Sequence, residues 1–348
     1  MLTSLLACMP LSLPLVSPAN DTLVDQLAEE SHALPDWLDF YANLRLRMES
    51  TLDQPNGEDR HRGRVRFRVG AKMDVAENLK SEVRLSTTSG TANNPHWDLG
   101  GDNGTDTLGG ADIVLDRINV TWTPDENLTF KGGKMGTPLK TNPVYGEWIW
   151  DDDIQPSGLA STYKLSDSLD ARLGYFIIDE QNSTGDSADP AVTVLQLGYT
   201  APDQSLDWAV NTAFWNWTNE GPIDYLVWDT VVSAKADDWT GSVEFIQNLD
   251  DDTGEDTGLA LGLMHGKGGS QGSSQIFANY FDFDANASMW SVGQDDLPIA
   301  VGAQGLSGFI VGYKYWWHDN TTLKLWGLQG DDETNDPLRL RLDLDISF

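Results

Sequence analysis

The stretch LRLRLDLDISF at residues 338–348 decides the fold. Leu338, Leu340, Leu342, Leu344, Ile346 and Phe348 alternate with Arg339, Arg341, Asp343, Asp345 and Ser347. In a strand, successive side chains point to opposite faces. One face of this strand is therefore fully apolar and the other is charged. A soluble sandwich rarely leaves its final strand so charged on one side. A membrane-spanning β-barrel needs the pattern, with lipid against one face and an aqueous lumen against the other.

Working outward, the whole composition agrees. The chain has 348 residues, 54 acidic and 22 basic, with a net charge of -32. Nucleic-acid partners call for a basic stripe, so that class is excluded. No apolar run reaches the length of a membrane-spanning helix. The longest lies near the N-terminus, where Pro10, Pro14 and Pro18 interrupt it. If the chain enters a membrane, it does so as strands. The 33 glycines and 14 tryptophans suit turns and interfacial girdles.

Residues 1–19 read as the apolar part of a signal peptide, with Ser17-Pro18-Ala19 as its cleavage site. No Lys or Arg precedes Arg45, so a positive n-region is missing and the true start is expected upstream of Met1. Cys8, the one cysteine, falls in this leader, so the rest of the chain makes no disulfide. Residues 20–36 read as a periplasmic lead-in with a short helix over 22–33, capped by Asp21 or Thr22. Residues 37–348 form the barrel.

Strands are expected at 37–49, 62–73, 79–89, 111–123, 127–136, 158–166, 169–179, 190–201, 205–218, 225–236, 239–249, 257–267, 273–284, 305–317, 320–330 and 337–348. That gives an all-β antiparallel transmembrane barrel of about sixteen strands. The connectors alternate: short periplasmic turns such as 124–126 and 167–168, and longer outer loops such as 90–110 and 137–157. An even strand number with both termini on the short-turn side fits a single-chain outer-membrane barrel. Several strands are clearly two-faced. Arg62, Arg64, Arg66 and Arg68 alternate with Val65, Phe67 and Val69, and Phe309, Val311, Tyr313, Tyr315 and Trp317 share a face. The strand over 273–284 is ambiguous. Trp122, Trp208, Trp239, Trp316, Trp317 and Trp326 lie near strand ends, where interfacial aromatics sit; ordinary core tryptophan is the other reading.

Barrel closure makes the last strand a neighbour of the first three. Their polar faces hold Arg45, Arg47, Arg64, Arg66, Arg68, Arg84, Arg339 and Arg341, with Lys72. Facing lipid, each would cost about 2–4 kcal/mol at the midplane, so they are expected to form one basic wall of an aqueous pore. The opposing acids are Asp151, Asp152 and Asp153 in the third outer loop. Folded inward, that loop would narrow the pore and set a transverse field. An exposed, solvated acidic loop is the other reading.

The sequence around this loop carries a family resemblance. Gly133-Lys134-Met135-Gly136-Thr137-Pro138 and residues 150–160, Trp-Asp-Asp-Asp-Ile-Gln-Pro-Ser-Gly-Leu-Ala, resemble the GK(M)xxPF … WDxDxxPEGLA segment of a family of bacterial outer-membrane porins. Leu115-Asp116-Arg117 upstream is also similar, and the terminal Phe348 resembles the end of bacterial outer-membrane proteins. Leu139 stands where the family has Phe, and Ser157 where it has Glu, so a role for that Glu does not carry over. The resemblance implies an outer-membrane diffusion channel for small hydrophilic solutes or ions, located in the bacterial outer membrane among lipid and lipopolysaccharide. A barrel of this size is compatible with a homotrimer, and no interface can be read from the chain.

No cofactor and no metal are called for. The five histidines lack metal-ligand spacing. Acidic clusters at 250–256 and 331–336 offer oxygen ligands for divalent cations that bridge lipopolysaccharide phosphates, but an acidic surface is the simpler account. Gly268-Gly269-Ser270-Gln271-Gly272 matches G-x-S-x-G, yet lies in a turn between strands with no helix after it. The chain is read as a channel rather than an enzyme. A non-conducting structural barrel and an outer-membrane hydrolase stay open as alternatives.

Overall fold

Two-residue periodicity and short polar turns make strands that can only pair antiparallel with their neighbours in the chain. In the computed structural model, the described residues are 34–53, 59–89, 94–100, 110–180, 189–201, 206–218, 225–290, 292–293, 305–331 and 336–348. Their strands are β1 (Leu38–Leu52), β2 (Arg60–Ala76), β3 (Leu79–Thr88), β4 (Trp97–Asp98), β5 (Asp112–Asp125), β6 (Leu128–Lys134), β7 (Ser157–Lys164), β8 (Leu169–Ile177), β9 (Ala191–Thr200), β10 (Asp207–Thr218), β11 (Tyr225–Ala236), β12 (Trp239–Asn248), β13 (Thr257–Lys267), β14 (Ser274–Phe283), β15 (Leu306–His318), β16 (Thr321–Asp331) and β17 (Leu338–Ser347). No helix occurs among the described residues. The leader at 1–19 and the helix expected over 22–33 lie outside them.

β1 pairs with β2 on one side and β17 on the other, so the sheet closes. Sixteen long strands form the barrel, and their ends fall within three residues of those expected. The unexpected strand is β4. β3 stops at Thr88, and Trp97–Asp98 takes over its place beside Arg64 and Val65 of β2. The closing seam sets Arg45 opposite Asp345, Arg47 opposite Asp343, Glu49 opposite Arg341 and Thr51 opposite Arg339.

The outward faces carry large exposed apolar side chains, among them Met48, Leu159, Phe309, Leu325 and Leu342. Exposure of so much apolar surface in one closed sheet marks a lipid-facing exterior. Trp122, Trp208, Trp239 and Trp317 are exposed on it. Trp326 is the exception: it is 1% exposed, points inward, and its ring lies 5.0 Å from the Arg341 guanidinium. An inward slot beside a cation, not an interface, fixes this tryptophan.

The inward faces differ around the barrel. β1, β2, β3, β5 and β17 bury charges. β8 to β16 bury apolar groups such as Phe176, Val192, Trp215, Ile246, Phe281 and Leu328. The hydrophobic core therefore lies inside the barrel, against that second wall.

Candidate functional site

On the charged wall, strand pairing creates a conflict. Arg45 faces Arg66, and Arg47 faces Arg64. Like charges directly opposite each other destabilise a sheet, so carboxylates must come from elsewhere. Four segments supply them. β17 brings Asp345, which accepts from Arg45 Nε at 2.7 Å, and Asp343, which accepts from Arg47 Nε and Nη2 at 2.8 and 3.0 Å. β4 brings Asp98 to Arg64 Nε at 2.9 Å. A bulge in the β3–β5 register leaves Asp116 unpaired in the ladder. It turns inward between Arg84, which donates to it, and Arg68, 3.4 Å away; re-aiming a side chain is a common use of a bulge. The loop at residues 135–156 brings Asp153, with its Oδ1 2.8 Å from Arg66 and 3.1 Å from Arg68. Within β1, Glu49 takes Arg62 and Arg341, both at 2.5 Å.

The loop reaches the wall because its other side is anchored. Trp148, fully buried, packs on Tyr145, Phe281 and Phe283 with centroids 4.7–5.3 Å apart. Trp150 stacks on Trp215 and Trp217 at 6.2 and 6.0 Å. Polar ties fix the descending half: Lys140 N–H donates to Gln196 Oε1, Gln196 Nε2 returns the bond to Lys140 O, and Asn142 Nδ2 donates to Glu244. The Asp151 N–H donates to Val292 O at 2.9 Å. The Asp151 carboxylate accepts the Asp153 N–H at 2.6 Å, so it shapes the turn that aims Asp153. Gln155 is the hinge to the wall, accepting from Arg117 Nε at 2.6 Å and donating to Asp152 O at 2.8 Å. Both stems need glycine: a Cβ on Gly133 would lie 2.2 Å from Ile118 O, and one on Gly158 would lie 2.0 Å from Tyr175 O.

Between loop and wall lies a cavity of about 130 Å³. It is lined by Arg45, Arg47, Arg64, Arg66, Arg68, His96, Glu147, Asp151, Asp152, Asp153 and Lys324. Burial alone would raise the Asp153 carboxyl, but Arg66, Arg68, Arg45 and Arg47 hold it well below the usual carboxylate range. Burial, with Arg47, Arg66, Arg64 and Arg45, pushes His96 well below its ordinary value, and its Nδ1 lies 3.8 Å from Asp153.

Of the residues singled out from sequence, Asp151–Asp153 and five of the eight arginines meet at this cavity. Arg84, Arg339 and Arg341 are inward and buried but do not line it. Arg84 binds Asp116, Arg341 binds Glu49, and Arg339 Nε lies 3.3 Å from Thr51. Lys72 sits over the Tyr41 ring at 5.2 Å. Sequence reasoning set Asp343 and Asp345 on the charged face without pairing them with the arginines, and passed over Glu49, although it continues the inward series of β1. It also passed over His96, Asp98 and Glu147, which sit in long connectors without periodicity to mark them. The G-x-S-x-G stretch is an exposed turn in which Gly269 and Gly272 have φ of 90° and 82°. Ser270 is held there by Ser273.

The sequence matches a family described as "Putative porin" over residues 41–219. That span contains the arginines of β1, β2 and β3 and the whole third loop, and leaves out β17. A search of curated proteins finds no match. Among solved structures, OprB of Pseudomonas putida at high pH is similar with a TM-score of 0.67 and 13% identity, over 94% of this chain and 97% of that one. The Rhodopseudomonas blastica porin triple mutant gives 0.56 and 12%, over 89% and 100%. OccAB4 of Acinetobacter baumannii gives 0.52 and 11%, over 89% and 98%. At such identities the likeness is one of fold.

Proposed function

The chain belongs to this family of outer-membrane porins, channels for solute diffusion, and on that premise we propose that its third loop is the pore constriction. Small hydrophilic solutes and ions pass between the loop tip, Asp151–Asp153, and the arginine wall. The membrane is the bacterial outer membrane, and residues 1–19 are the export signal. One observation carries the reading: Asp153 joins the loop tip to the wall, 2.8 Å from Arg66 and 3.1 Å from Arg68, beside a cavity lined on every side by charged or polar groups.

A transverse arrangement of this kind acts in two ways. Opposite charges on facing walls orient a polar solute as it passes. The narrow polar cavity also excludes bulky apolar solutes, which would have to desolvate both walls. No covalent step is involved, and the loop acts as a fixed baffle, since its tryptophans are packed against the far wall.

The test is single-channel recording of the purified full chain in a planar bilayer. Stable, ohmic current steps are expected. A folded barrel that inserts and never conducts would end the proposal.

A further inference from the structure

We infer that the cavity between the third loop and β1–β2 is a binding site for small oxyanions, carboxylate or phosphate, and that the channel prefers anions despite the acidic chain around it. This rests on the reading of the loop as the constriction.

Charge balance is the first support. Among the described residues, nine arginines of this wall share six carboxylates through contacts within 4 Å. The cavity itself is lined by five arginines, Arg45, Arg47, Arg64, Arg66 and Arg68, against four carboxylates, Glu147, Asp151, Asp152 and Asp153. Lys324 adds a further positive charge to the lining.

Unused donors are the second. Arg66 spends Nη1 on Asp153 and Nη2 on Asn43, leaving Nε without an acceptor. Arg68 lies close to both carboxylates, yet its Nε and Nη2 make no hydrogen bond of good geometry. Both side chains are more than nine-tenths buried, and both line the cavity. A buried N–H without an acceptor is costly. A guanidinium fork is matched by an oxyanion that presents two oxygens at once.

Size and field complete the case. A water occupies about 30 Å³ of the liquid, so the cavity of about 130 Å³ admits one carboxylate or phosphate group with a few waters. Asp152 and Glu147 line the same cavity and press an anion toward the arginines. Charge at the narrowest point decides ion preference, and the net charge of -32 does not.

The experiment records the full chain in planar bilayers under a KCl gradient, then adds sodium phosphate or sodium acetate. A reversal potential favouring chloride is expected, with a fall in KCl conductance on adding either oxyanion. Arg66→Gln combined with Arg68→Gln should reverse the preference toward potassium and remove the block. Arg68→Lys keeps the charge and loses the fork, so it should keep chloride preference while weakening block; it also serves if the double variant does not fold. Block by phosphate alone would still support the site and narrow it to tetrahedral anions. A wild-type channel that conducts but prefers potassium and ignores both oxyanions overturns the inference and leaves the channel reading intact. A barrel that never conducts overturns both.

Discussion

The two walls of this lumen are built from the same kind of strand and do opposite things. On the arginine wall, most inward side chains of β1, β2 and β17 are charged, and the strands read as alternating. On the tryptophan wall, β9 and β10 place Val192, Val194, Trp215 and Trp217 inward while Leu195, Leu197 and Phe214 face outward. Apart from inward Gln196 and Asn211, these strands carry large apolar side chains on both faces. The difference explains where the third loop goes. Its Trp148 and Trp150 find an apolar surface on one side only, and burying each contributes about 1.5–3 kcal/mol. Its acidic tip is then left facing the arginines. A loop with one greasy end and one charged end thus joins the two walls of the lumen.

The sharpest way to break the comparison is to remove the anchors. Trp148→Ala and Trp150→Ala should each cost about 3–5 kcal/mol, seen as a lower thermal midpoint of the folded band on gels. Together they should free the loop and raise single-channel conductance; unchanged conductance would mean the loop does not narrow the pore.

The next test makes one chemical change on each wall. Glu49→Gln leaves Arg62, Arg64 and Arg341 without their shared carboxylate, at a cost of about 3–5 kcal/mol. Asp229→Asn on the tryptophan wall removes a buried carboxylate whose Oδ1 has no hydrogen-bond partner, so stability should hold or rise, since an unpaired buried charge is itself unfavourable. Equal losses in denaturant titrations would show that the walls are not energetically distinct. The smallest effect is expected from Asp152→Asn. This residue is exposed at the cavity, so stability should change by no more than about 0.5 kcal/mol, with a slight shift of reversal potential toward chloride. A large loss of stability would mean Asp152 has a structural partner.

How much of this was legible follows the same division. Alternation in LRLRLDLDISF and RHRGRVRFRV, with turns of alternating length, reveals the barrel and the arginine face. The acids of the loop point to an inward fold, with an exposed, solvated loop as the other reading. The tryptophan wall could not be read, because a strand apolar on both sides has no period-2 signal to report. The strand over 273–284 looked ambiguous for that reason: Phe277, Phe281 and Phe283 face inward and Ile276 outward. Trp326 departs from the interfacial reading because it sits at the middle of β16 on the inward face, not at a strand end. Asp98 and Asp116 depend on a two-residue strand and a bulge, and both arise from how neighbouring strands end or slip.

The seam between β1 and β17 has a meaning for assembly. Its charges form the series Arg45, Arg47, Glu49 against Asp345, Asp343, Arg341. A slip of two residues preserves inside and outside, so hydrophobicity alone would not detect it. Slipped one way, Arg47 would face Arg341; slipped the other way, Glu49 would face Asp343. Either error sets like charges directly opposite, which a sheet resists. The C-terminal strand therefore carries a checksum, and its native register against β1 sets no like charges opposite each other.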